Sequence, residues 1–321
     1  LEREYSPSRI IYPLRSNSKG SFERITRSEA LEVIAKELSD VREKHGPHSV
    51  LFYRGSGCSG LSNDLTGLFW SMYGGATTTY GNLCWPAGLE AVRLTMGEVT
   101  HNVPWDLENA QLIIMWGKNP AETNIQEMIH IDRALKNGCR LVVIDPRRTP
   151  TADKASILIR PKPGTDASLA LAMAAVIIDK KLTDTEFITR HVKGYDDFAA
   201  SLKIKPADAE AITGIPAKTI EGLATEIAST DRVTIVAGYG LQRYTNGGQT
   251  IRSILSVPVI TGKMGRSGCG FNFANMQGYI YDNVKEPLSY YPDDEKDMPF
   301  RRKISIARFG DDFFALGKPE I

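Results

Sequence analysis

Apolar positions along the chain fall into two alternating patterns. Short continuous runs rich in β-branched residues are followed by longer stretches whose apolar residues recur every three to four positions. The first have the length of strands buried on both faces and the second the period of a helix, so their alternation predicts a parallel sheet covered by helices. Strands are predicted at Ser49–Tyr53, Leu112–Trp116, Arg140–Ile144, Ile157–Arg160 and Val233–Ala237. Helices are predicted at 28–44 and 61–73, and near 121–136, 167–181, 184–192, 206–212, 216–229 and 246–262. In the first helix Leu31, Ile34, Ala35 and Leu38 make one stripe, with Ser28 as the expected N-cap. No internal repeat or low-complexity linker interrupts the series.

Composition narrows the function classes. A chain of 321 residues that is 42% hydrophobic can bury a large core, with about two domains by size. Thirty-nine basic residues against 38 acidic ones leave a net charge of +1, which offers no bulk attraction to nucleic acid or an acidic membrane. Any bound anion must therefore be held locally. Apolar runs such as Leu112–Trp116 are far short of the roughly 20 residues that cross a bilayer. Cys58, Cys84, Cys139 and Cys269 stand apart with no C-x-x-C spacing, which excludes a zinc knuckle or local iron–sulfur loop and suggests reduced thiols. The five histidines show no spaced pattern, and none is assigned as a general acid or base.

The stretch "VLFYRGSGCSG" fits the G-x-G-x-x-G fingerprint of dinucleotide binding, but that fingerprint needs an acidic residue about 20 positions on to grip a ribose. The region in question reads "SMYGGATTTYGNLCW" and has none. A glycine turn before the helix at 61–73 is the plainer reading, and an NAD dehydrogenase is disfavoured.

A better nucleotide unit lies downstream. "LIIMWGKNPAETN" is a strand entering a polar turn and then a helix, so the backbone donors of Gly117-Lys118-Asn119 sit at a helix start, where anions are favoured. "RLVVIDPRRTPTA" follows, ending its strand on Asp145 with Arg147 and Arg148 beside it. Asp145 is placed to grip a ribose or a base.

These turns belong to an ordered series: "GNLCWPAG", "WGKNPAETN", "VIDPRRTPTA", "PKPGTDASLALAMA", "AGYGLQRYTNGGQTIRSI" and a final turn over Ile260–Asn272. In this order they closely resemble the molybdopterin oxidoreductases of the dimethyl-sulfoxide-reductase type, which carry molybdenum or tungsten on two pyranopterin guanine dinucleotides. The leading "IIYPLRSNSKGSFERITRSEALEVIAKEL" resembles the segment that follows the iron–sulfur domain in that family. The resemblance implies an α/β fold: a Rossmann-like parallel-sheet domain over 80–274, with 1–79 and 275–321 as portions of a second, discontinuous α/β domain.

By the same resemblance Gly117, Asn119 and Glu122 are pyrophosphate and pterin-dinucleotide contacts, Asp145 and Arg147 bind guanosine, and Gly164 with Asp166 of "PGTD" recognises the guanine edge. A carboxylate suits guanine because its N1–H and N2 amine are adjacent donors. Gly238, Gly240 and Gln242 match the turn that approaches the pterin, and Cys84 matches the position that supplies the protein ligand to the metal. A thiolate is a soft donor suited to such a centre. The other three cysteines keep the default reading of small buried hydrophobes.

The resemblance also implies a small-molecule substrate and electron flow to a [4Fe–4S] cluster outside this chain. The implied partners are the remaining domains of the same polypeptide and iron–sulfur or membrane electron-transfer subunits, with no nucleic acid. The chain is expected to be a piece of a longer catalytic subunit, so that alone it carries little or no metal. Two departures speak against formate as substrate: Trp85 stands where formate dehydrogenases of the family have histidine, and the loop "GCGFNFANMQG" lacks their arginine. Trp85 either packs or shapes a substrate pocket. Two alternatives stay open: a non-catalytic guanine-nucleotide-binding module of the same fold, which would lack the metal, and a formate-dehydrogenase-like enzyme with a modified site.

Overall fold

The computed structural model describes residues 2, 4–17, 20–53, 61–81, 83–84, 86–273 and 302–311. Two compact units divide the chain: Leu1–Asn82 with Val284–Ile321, and Leu83–Asn283. Among the described residues no helix is long and apolar enough to cross a membrane.

The first unit opens with an antiparallel hairpin of β1 (Leu14–Ser16) and β2 (Phe22–Arg24), then α1 (Arg27–His45). The N-cap of α1 is Thr26, not Ser28. Thr26 Oγ1 accepts from the Glu29 N–H at 3.2 Å while Glu29 accepts from the Thr26 N–H at 2.7 Å. This reciprocal box needs a glutamate three residues after the cap, and only Thr26 has one. Leu31 and Ile34 of the predicted stripe are 67% and 53% exposed, so α1 buries little of its apolar face. The strand predicted at Ser49–Tyr53 shrinks to β3 (Leu51–Phe52), because Pro47 sets a 3₁₀ turn over Pro47–Ser49. After α2 (Leu61–Tyr73), β4 (Thr77–Tyr80) lies between β3 and the late strand β10 (Lys303–Ser305) in a parallel sheet.

The second unit runs α3 (Pro86–Met96), β5 (Leu112–Trp116), α4 (Pro120–Thr123), α5 (Ile125–Lys136), β6 (Arg140–Ile144) and β7 (Ile157–Ile159). Next come α6 (Asp166–Asp179), α7 (Thr185–His191), α8 (Tyr195–Ser201), α9 (Pro206–Thr213) and α10 (Ala217–Ser229). β8 (Val233–Ala237), α11 (Gly247–Ile260) and β9 (Gly270–Phe273) complete it. The single helix predicted near 121–136 is two, broken at Asn124, whose φ of −156° and ψ of 68° cannot continue a helical turn. The strands pair in the order β7-β6-β5-β8-β9, all parallel.

Every residue of β5 is buried, and the two-residue period of a strand divides them between two cores. Leu112, Ile114 and Trp116 face a layer built on α6, α10 and α11, whereas Ile113 and Met115 face α5 through Met128 and Ile131. After β7 the chain crosses over through α6–α10 and returns as β8 on the other side of β5. The order reverses between β5 and β8, and at such a point the loops at the carboxyl ends diverge to opposite faces and leave a crevice.

The opposite, amino-terminal edge is closed by Asp106, which is 9% exposed. Its carboxylate accepts from the Ser267 hydroxyl (2.6 Å), the Gly268 N–H (2.8 Å), the Asn109 amide (3.0 Å) and the Asn102 amide. Burial alone would raise its pKa, yet these donors together hold it below the ordinary value. A depressed carboxylate contributes stability above its unfolded pKa of about 3.9 and loses it as pH falls through the folded value. Asp106→Ala is therefore expected to destabilise the protein by about 2–3 kcal/mol at pH 7, by stranding buried donors. In urea titrations the gap from wild type should close as pH falls below about 4; a gap independent of pH would contradict this account.

Candidate active site

Parallel strands all end on one edge, so the segments after β5, β6, β7 and β8 meet there. They carry Gly117, Asn119 and Glu122; Asp145 and Arg147; Gly164 and Asp166; and Gly238, Gly240 and Gln242, respectively. The ten predicted cofactor contacts thus line a single edge of one sheet.

The tightest approach is at the reversal point. A side chain on Gly238 would place its Cβ 1.8 Å from the Gly117 carbonyl oxygen, and Gly117 itself has a φ of +58°. The β5 and β8 turns are pressed together in a way that only glycine at 238 permits. Gly117 does not offer the backbone donor expected of it, because its N–H is committed to the Ile144 carbonyl at 2.7 Å. What it provides is close approach. Gly240 has open space around it, and Gly164, with a φ of +81°, lies under the Tyr244 ring.

The two aspartates are buried, Asp145 at 9% and Asp166 at 6% exposure. Asp166 opens α6 and accepts from the indole N–H of Trp116 at 2.7 Å. Its burial pushes its pKa up; the indole bond opposes this, and the negative charge of nearby Asp145 adds to the rise. Asp145 accepts from the Arg147 N–H at 2.8 Å, which turns the chain and leaves the Arg147 guanidinium exposed, 3.8 Å from Glu122. Asn119 accepts from the Thr151 hydroxyl at 2.7 Å and donates its amide to Glu122, while Thr151 accepts from the Ala121 N–H at 3.1 Å. The turns after β5 and β6 are therefore laced together.

Cys84 is half-buried just before α3 and joins this edge through the β8 turn. Gln242, 5% exposed, donates its amide to the Cys84 carbonyl at 2.5 Å and accepts from the Gly88 N–H in the first turn of α3. Arg243 donates to the same carbonyl at 3.4 Å and lies 3.6 Å from the Cys84 sulfur. Tyr239, edge-on to Phe273, has its phenol pushed up in pKa by burial and by Cys84 beside it.

Among the described residues no three His, Cys, Asp or Glu side chains gather into a metal set. A cavity of about 510 Å³ lined by residues between Thr185 and Asp197 shares none of these side chains. Cys58, the glycine turn at 55–60, Trp85 and the loop from 274 onward lie outside the described residues. Sequence reasoning missed Trp116, Thr151 and Arg243. Only Trp116 carried a signal, since a buried indole N–H on an apolar strand requires an acceptor.

A family model described as molybdopterin oxidoreductase matches residues 9–306. The chain is 36% identical over 273 residues to the probable oxidoreductase YyaE of Bacillus subtilis, covering 85% of this chain and 41% of that protein. It is 31% identical over 327 residues to the dimethyl sulfoxide reductase DmsA of Escherichia coli, covering 90% of this chain and 40% of DmsA. The chain thus spans about two fifths of the length of these relatives. Among solved structures, acetylene hydratase from Pelobacter acetylenicus superposes with a TM-score of 0.62 at 26% identity, over 85% of this chain and 38% of that one.

Proposed function

Because the chain belongs to the molybdopterin oxidoreductase family, we propose that the carboxyl edge of its five-stranded sheet holds one guanine dinucleotide of a bis-molybdopterin cofactor. The metal, molybdenum or tungsten, is bound at Cys84, and the whole protein is a redox enzyme acting on a small substrate. One observation carries the reading: at the strand-order reversal, the Gly117–Gly238 contact and the buried carboxylates of Asp145 and Asp166 share one edge. A glycine approach admits a flat ligand close to the backbone, and a buried carboxylate without a paired cation suits a neutral donor edge such as guanine.

The residues fit such a group. Asp166, aimed by Trp116, accepts the N1–H and N2 amine of guanine; Asp145 takes ribose hydroxyls; the exposed Arg147 meets a phosphate or ribose oxygen. Cys84 would supply a soft donor, and among the described residues no group of three His, Cys, Asp or Glu side chains forms a metal set. When bound, the cofactor would supply two-electron redox chemistry, with a [4Fe–4S] cluster outside this chain as the proposed electron acceptor. The named substrates of the relatives, dimethyl sulfoxide and acetylene, differ in chemistry, so the family leaves the substrate class open.

Asp166→Ala in the full-length protein is expected to weaken guanine dinucleotide binding by about 1.5–3 kcal/mol and to leave adenine dinucleotides unaffected. Since the raised pKa makes Asp166 lose its charge sooner on acidification than an ordinary aspartate, wild-type affinity should fall as pH drops and the mutant's should not. Calorimetric titration showing unchanged affinity in the mutant would remove the "PGTD" loop from the site.

A further inference from the structure

We infer that Gln242 is a positioning residue for Cys84 and not a contact of the cofactor. Each end of its side-chain amide makes a hydrogen bond within the chain, which leaves one amide N–H and one oxygen lone pair uncommitted in those bonds. The nitrogen donates to the Cys84 carbonyl at 2.5 Å and the oxygen accepts from the Gly88 N–H. At 5% exposure it is about as buried as Asp166, so what sets it apart is that both ends of its amide are bonded within the chain. Gly88 is hemmed in on the same side, since a Cβ there would fall 2.3 Å from the Phe273 ring and 2.8 Å from Gln242 Oε1. The start of α3 is thus seated against β9 and the β8 turn, and Cys84, two residues before that helix, is held at its carbonyl.

Arg243 adds a second arm from the same turn, through its contacts with the Cys84 carbonyl and sulfur. A short loop gripped at one residue's backbone has few ways to turn that residue's side chain, so the grip fixes where the sulfur points. The consequence for metal ligation rests on the function proposed above; the grip itself does not.

Two variants at Gln242 test the grip. Gln242→Met keeps the volume and loses both hydrogen bonds. Gln242→Glu keeps the acceptor for Gly88 and turns the Cys84 donor into a repelling oxygen. Both are made in the full-length protein. Alkylation of Cys84 by iodoacetamide in the cofactor-free form, read by mass spectrometry at one fixed pH, is expected to accelerate about tenfold in each variant, because a released loop exposes the thiol. Guanine dinucleotide content of the loaded enzyme should stay within twofold of wild type, while its metal X-ray absorption spectrum should show a lengthened or lost sulfur contact.

Wild-type alkylation rates in Gln242→Glu would overturn the inference, as would a tenfold loss of dinucleotide with the Cys84 rate unchanged, which would make Gln242 a cofactor contact after all. Should Gln242→Met fail to fold, Gln242→Glu decides alone. If alkylation accelerates but the metal spectrum matches wild type, the grip stands and Cys84 is not the ligand, which separates this inference from the functional reading.

Discussion

Replacing Cys84 by alanine in the full-length enzyme is expected to lower turnover by more than the roughly 10–100-fold that loss of an outer partner of a metal ligand costs, with guanine dinucleotide content close to normal. The two quantities separate because different residues serve them. Under the proposed function the dinucleotide is gripped along the sheet edge, by Asp166 and Asp145 and by the close approach at Gly117 and Gly238, and none of those residues would use the sulfur. Cys84 meets the edge through Gln242 and Arg243, with Tyr239 alongside. Turnover and metal absorption spectra are the measurements. A mutant with wild-type values of both would reduce Cys84 to a packed thiol and place the metal's protein ligand elsewhere.

The second large effect is steric. Gly238→Ala should destabilise the protein by about 3 kcal/mol or more, near the upper end for a point mutation, since the new Cβ would sit 1.8 Å from the Gly117 carbonyl oxygen. Backbone cannot yield there cheaply. The Gly238 N–H is bonded to the Trp116 carbonyl at 2.8 Å and the Gly117 N–H to the Ile144 carbonyl, so relief requires breaking the ladder at the centre of the sheet. Gly240→Ala, two residues on, meets open space and should cost under about 1 kcal/mol. Thermal denaturation of the pair tests the contrast; equal melting temperatures would show that the two turns are not in contact.

Much of the second unit was legible in the chain. The runs at 112–116, 140–144 and 233–237 are strands to the residue, because short segments so rich in apolar and β-branched residues suit strands buried on both faces. The elements that escaped notice lack that signal. β4 is "TTTY", half polar in character, and α3 begins inside "CWPAG", a stretch dominated by turn formers. β9, "GFNF", begins with glycine and alternates too briefly to register. Their structure comes from neighbours: β4 is held by β3 and β10 on either side, and α3 by α11.

The candidate site divides along the same line. Residue types and order along the chain determined that a glycine turn would follow one strand, a carboxylate would end the next and a "PGTD" turn would open a helix; they also sufficed to suggest the family, because local backbone chemistry is written in adjacent residues. Strand order is not local, and the tertiary structure alone decided it. The return of β8 to the far side of β5 is what brings Gly238 against Gly117, 121 positions apart, and lets Gln242 reach Cys84 across |i−j|=158. It also reassigned donors: the Gly117 N–H went to the sheet, Asp166 received the Trp116 indole, and the Gln242 amide was spent on the Cys84 loop. Which polar group a buried atom meets depends on packing between distant segments, and no pattern within either segment encodes it.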